Sequence, residues 1–195
     1  MNAAEIGRQR AAALHDEAVA NGSDPTNPYA FACAEAKRHG MDVEKANPGA
    51  SVLKQGRASY VPEDELIVHE NIGTAFDQAF LVAHEIGHRV LGDGPKTIVE
   101  VDASRPAEPS PIGFDRVVDY GRVQRREIQM DLFARELLLP RHFLPRLHLD
   151  GLSASDIAHR LHAPFDVVSQ QLLDALLLPA VTIDVATHRE PHTLH

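Results

Sequence analysis

The chain has 195 residues, 44% of them hydrophobic, and its 28 acidic against 19 basic side chains give a formal net charge of −9. That length is enough for one domain with a real core and a small appendage, and no apolar run approaches the length of a transmembrane helix. The acidic balance argues against broad, sequence-independent nucleic-acid binding, which needs a positive surface.

In chain order, residues 3–20 read as a polar, alanine-rich helix with Asn21 to Pro25 as its exit loop. Residues 28–39 form a second helix closed by Gly40, with Cys33 as a small buried residue on it. A single cysteine excludes an internal disulfide, and the N-terminus lacks a basic region followed by an apolar core, so a cytoplasmic location is expected. Ala50–Leu53, Ala58–Val61 and Glu65–His69 are short strand candidates separated by Gly56 and Pro62, which suggests a small antiparallel sheet. His69 there reads as an ordinary exposed histidine.

The next helix spans about 75–91. Thr74 with Asp77 three residues on is a variant capping box, Phe76, Phe80, Ala83, Ile86, Val90 and Leu91 supply an apolar stripe, and Gly92 ends it. Gly87 inside it costs about 1 kcal/mol relative to Ala, which implies close approach by another backbone. Thr97–Val101 is a further strand candidate, followed by a Pro-rich loop to about residue 113. A second long helix runs to Leu139, with Pro140 as a soft stop. Helical stretches at about 153–162 and 165–178, separated by Ala163-Pro164, have few basic residues and read as a packing pair. Ala180–Val185 is strand-like. The division expected is 1–27 helix and loop, 28–140 core and 141–195 helical subdomain and tail, in an α+β, mostly helical fold.

The helix at 75–91 contains His84-Glu85-Ile86-Gly87-His88, which matches H-E-x-x-H, where two histidines bind zinc and the glutamate activates a water. At 100° and 1.5 Å per residue, His84 and His88 lie about 40° apart and roughly 6 Å along the axis, so both imidazoles can converge on one ion. Glu85 borders that side, while Ile86 and Gly87 turn inward. The chain has twelve histidines, so two surface histidines on an ordinary helix is the competing reading.

A catalytic zinc needs a third protein ligand and an open position. The best donor is Glu127. On a helical wheel Asp131, Ala134 and Leu138 fall within about 40° of it, whereas Gln129 and Glu136 take the opposite, solvated side. The two carboxylates are thus expected to be carried into the core by Ala134 and Leu138, where they need a cation or strong hydrogen bonds. Asp131 would accept the other ring N–H of a liganding histidine. The competing arrangement pairs both acids with Arg122, Arg125 or Arg126. Asp93, Glu100 and Asp131 are weaker third-ligand candidates.

Two blocks, Phe80 to His88 and Glu127 to Pro140, resemble the ImmA/IrrE family of small zinc metallopeptidases. The second is similar to that family's E-x-x-A-(N/D)-x-F-A-x-x-L-L-x-P, with Glu127, Asp131, Phe133, Ala134, Leu137, Leu138 and Pro140 in register and Met130 in place of the small residue. The likeness spans about 28 to 178. The connection from His88 to Glu127, with Pro106, Pro109 and Pro111, is longer than the family's usual spacing. The resemblance implies His84, His88 and Glu127 as zinc ligands, Glu85 as general base, and an edge strand that binds an extended substrate. It also implies a regulatory protease acting on a specific protein, such as a helix-turn-helix repressor.

The expected chemistry is therefore Zn2+-dependent peptide-bond hydrolysis, with Tyr60, Tyr120, Arg126 and His142 as unranked candidates for stabilising the oxyanion. The alternative is a zinc-stabilised, non-catalytic interaction or regulatory module, part of a longer multidomain protein. A DNA-binding regulator built on the C-terminal helix pair is the weakest reading, given the acidic charge.

Overall fold

The computed structural model describes residues 3–53, 56–92 and 122–177. Two helices open the chain, α1 (Ala3–Ala20) and α2 (Pro28–Arg38). Asn27 caps α2 by accepting the Ala30 N–H, and Pro28 stands in the first turn, where a missing N–H costs nothing.

Three short strands follow, β1 (Asp42–Ala46), β2 (Ala58–Val61) and β3 (Leu66–Glu70), in the spatial order β1-β3-β2. β2 pairs antiparallel with β3, but β1 pairs parallel to it, so the sheet is mixed rather than antiparallel. β1 lacks an alternating apolar face, and its side chains are exposed or half-buried. Its order comes from backbone pairing with β3, whose Ile67, Val68 and His69 are buried. The strand expected at Ala50–Leu53 is instead a 3-10 turn at Ser51–Leu53 that buries Leu53 after the left-handed Gly49.

α3 (Ala75–Val90) and α4 (Arg122–Leu138) lie side by side and run in opposite directions, since His84 meets Asp131 while Leu91 meets Arg126. The capping box at Thr74 and Asp77 forms in both directions, and Gly92 leaves the helix at φ +71°. Phe76, Ala83 and Ile86 are buried on the stripe facing the core. The close approach at Gly87 is made by side chains, not by a backbone: a Cβ there would stand 3.0 Å from Phe133 and 3.1 Å from Met130.

The α4 wheel is turned over at Glu136, which is buried rather than solvated. α1 packs across that face of α4. Arg141, just past the helix, folds back to donate to Glu136 at 2.9 Å and also bonds Glu5 of α1. The carboxylate thus trades water for a guanidinium and the Gln171 amide. α4 stops at Leu138, because the residue before Pro140 disfavours helical backbone. A short helix not foreseen from the sequence, α5 (Leu144–Leu149), follows with Leu144 and Leu147 buried. α6 (Ala154–Arg160) and α7 (Phe165–Leu177) then pack as a pair.

One apolar cluster links all of these helices, including Leu14, Phe31, Ile67, Ile86, Phe133, Leu144, Ile157 and Val168. The architecture is the expected α+β class, mostly helical with a small sheet beside α3. The strand candidates Thr97–Val101 and Ala180–Val185 and the Pro-rich loop lie outside the described residues.

Candidate active site

The α3–α4 contact gathers the chemistry-bearing side chains. His84 and His88 project one turn apart from α3, and their Nε2 atoms stand 3.2 Å from each other. Glu127, from the second turn of α4, brings Oε2 to 3.2 Å from His84 Nε2 and Oε1 to 3.9 Å from His88 Nε2. One ligand atom from each of the three lies within 4.8 Å of the others.

These separations can be tested against a metal. Zinc bonds of about 2.0–2.1 Å in a tetrahedron place ligand atoms about 3.3 Å apart. The spacings of 3.2, 3.2 and 3.9 Å fit such a polyhedron with little adjustment. The donor chemistry fits as well. His84 Nδ1–H donates to Asp131 Oδ1 at 2.9 Å, so its Nε2 presents a lone pair to the cluster. Two imidazole nitrogens and a carboxylate then converge on one point. Without a metal, a proton takes its place: burial pushes the His84 imidazole down, but the Asp131 and Glu127 carboxylates outweigh it and carry it up to about 9.

Glu127 and Asp131 are not carried into the core as the wheel implied. Their side chains remain 51% and 50% exposed, because the first turns of α4 reach beyond the point where Ala134 and Leu138 are buried. The site therefore opens toward solvent on the α4 side and is closed on the α3 side, where Glu85 and His88 are buried.

Glu85 points to the sheet. Its Oε2 accepts the Tyr60 backbone N–H at 2.9 Å. Among the described residues β2 is an edge strand, and this amide faces away from β3, so that outer edge runs directly beside Glu85. A backbone amide has no sequence signature, and the sequence pointed to Tyr60 only through its side chain.

The other candidates separate cleanly. His142 pairs with Asp16 at 3.0 Å beyond the far end of α4. Arg126 donates to Gln129 and to the Leu91 carbonyl, tying the start of α4 to the end of α3. His69 is completely buried instead of exposed, accepting the Tyr29 O–H at 3.0 Å and donating to the Glu70 carbonyl, and burial pushes its imidazole down. It belongs to the α2–β3 packing and not to the cluster, because Tyr29 of α2 covers it. Cys33 is half-buried on α2, where burial pushes its thiol up. Asp93, Glu100 and Tyr120 fall outside the described residues, as does the Arg122 side chain.

Among the described residues no helix is long and apolar enough to cross a membrane. No curated protein and no solved structure matches the chain. A model of the IrrE N-terminal-like domain, a peptidase family, matches residues 36–173, more than half of the chain and inclusive of both helices that build the cluster. The protein therefore belongs to the ImmA/IrrE family of metallopeptidases.

Proposed function

We propose that the protein is a zinc-dependent endopeptidase acting on a specific protein partner, with His84, His88 and Glu127 holding the metal and Glu85 as general base. The observation that carries this reading is the meeting of three ligand atoms from two helices within 4.8 Å. The Asp131 hydrogen bond to the remaining nitrogen of His84 supports it. Three protein donors leave a position open, as catalytic zinc sites do.

A metal held there supplies Lewis-acid polarisation of the scissile carbonyl and acidifies water. Asp131 fixes the His84 tautomer, so that ring needs no reorganisation when its Nε2 engages. Tyr60 N–H holds one oxygen of Glu85, which leaves Oε1 to take a proton from water and deliver it to the departing amine nitrogen. Burial of Glu85 keeps bulk water from competing for that proton. The outer edge of β2 offers backbone partners to an extended chain. Family membership supports a regulatory role, and a helix-turn-helix repressor is the partner class the resemblance implies.

Elemental analysis of the purified protein tests the metal assignment. About one zinc per chain is expected for the wild type, with loss in His84→Ala and Glu127→Ala. A wild type that takes up no zinc when offered it would overturn the assignment. Glu85→Gln should keep the zinc and lose peptide cleavage; full turnover in that variant would overturn the role of Glu85 as base.

A further inference from the structure

One turn before His84 on α3, and one turn after Asp131 on α4, the two helices border a cavity of about 190 Å³. Phe76, Phe80 and Val167 form its apolar side, and Arg57, Asp77 and Arg135 are its charged residues. Drug-sized ligand pockets hold roughly 300–1,000 Å³, so this one suits a single amino-acid side chain. Phe80 precedes His84 by four residues, roughly 6 Å along the helix axis. An extended peptide advances about 3.3 Å per residue. The cavity therefore lies about two residues from a bond cleaved at the His84–Glu127 cluster. β2 marks the same track, since Arg57 lines the cavity just ahead of the strand and Tyr60 within it touches Glu85.

The three charged residues are not equivalent. Arg57 is paired with Glu70 at 3.0 Å. The Asp77 carboxylate is taken by the Thr74 N–H and O–H of the capping box. Arg135 is half-buried, and among the described residues its side chain has no ion-pair partner and its Nε is shut from water without a hydrogen bond. The Nε of a guanidinium on a wall shared with phenylalanine rings thus loses its hydration with nothing in return. Its complement is a carboxylate at the end of a short aliphatic stem, which the apolar wall can hold.

We infer that this cavity is a specificity pocket for a glutamate side chain of the substrate, about two residues from the scissile bond, and that Arg135 selects it. The assignment rests on the peptidase reading of the adjoining cluster, and the test separates the two. A random decapeptide library is passed over immobilised, zinc-loaded Glu85→Gln protein, and the retained peptides are sequenced by mass spectrometry. Glutamate should be enriched about tenfold over glutamine at one position, the scale of a single charge-assisted hydrogen bond. Adding Arg135→Leu should abolish the enrichment, Arg135→Glu should replace it with Lys and Arg, and Arg135→Lys should keep most of it. The same library is then digested with the wild type to map the cuts. A retention profile indifferent to Arg135, or with no preference for glutamate, overturns the pocket whether or not cleavage occurs. Selective retention through Arg135 with no cleavage by the wild type upholds the pocket as a binding site and counts against the peptidase reading.

Discussion

Gly87 is a point of close approach between α3 and α4, and alanine there tests whether that closeness sets the candidate site. The added Cβ would lie 3.0 Å from Phe133 Cδ1 and 3.1 Å from Met130 Sδ, inside the optimum of about 3.5–4.0 Å between carbons. Phe133 and Met130 are both 0% exposed, so neither can swing into solvent, and the helices must part by roughly 0.5 Å or more. Helix propensity favours alanine by about 1 kcal/mol, whereas overpacking costs about 1–3 kcal/mol. Overpacking should win, with a net loss of about 1 kcal/mol. The larger effect is at the cluster. Gly87 sits between His84 and His88, and Met130 is next to Asp131, so parting the helices lengthens the 3.2 Å His84–Glu127 separation by a similar amount. Metal sites tolerate about 0.2 Å in their ligand distances, so zinc affinity should fall by roughly tenfold or more, as for loss of a group that orients a ligand. Competition with a chromophoric chelator reads the affinity, and urea unfolding in EDTA reads the stability. A Gly87→Ala protein that is about 1 kcal/mol more stable, as propensity alone predicts, and binds zinc like the wild type would refute the packing argument.

Asp131→Ala should leave the fold intact, since the side chain is half-exposed, and weaken zinc binding by about 10- to 100-fold. In the metal-free variant, NMR titration should find His84 well below its wild-type value of about 9, because the carboxylate bonded to its ring is gone. Arg141→Met removes the guanidinium from the Glu136 carboxylate, 1% exposed, and leaves it only the Gln171 amide and the residue-141 backbone N–H. Urea unfolding at pH 7 should record a loss of about 3–5 kcal/mol, partly restored by adding Glu136→Gln; a loss under about 1 kcal/mol would mean the pair is not the anchor of this face. His15 is buried with its Nδ1–H on the Leu137 carbonyl, and burial, ahead of that bond, pushes its imidazole below the usual 6.5. The unfolded chain therefore binds this proton first, so the stability His15 confers is complete above pH 6.5 and is lost as the pH falls toward its depressed folded value. In EDTA, His15→Gln should lose less melting temperature than the wild type between about pH 7.5 and 5.5. The opposite shift of His84 acts equally in both proteins and cancels, so equal slopes would sink the assignment.

These tests divide along a line that also separates what the sequence revealed from what it hid. α3 was readable because its signals are local: the capping box, the apolar stripe and the two histidines all lie within one helix and are reinforced by its 3.6-residue period. Glu127 and Asp131 share a helix side for the same reason, one turn apart. Three of the misreadings turn on partners outside the element itself. β1, Asp-Val-Glu-Lys-Ala, has no strand pattern of its own and is ordered by pairing directly with β3, which follows β2 in the sequence. Glu136 looked solvated until α1 and the returning Arg141 covered it, and His69 looked exposed until Tyr29 arrived from α2. The candidate site draws on both kinds of information. Its donors are local patterns, but they meet across a helix contact where Phe133 and Met130 lie against Gly87. The hold on Glu85 is a backbone amide of an edge strand. A substitution that changes how α4 leans on α3 should therefore damage the site while leaving both motifs letter-perfect, and pattern matching alone would miss that loss.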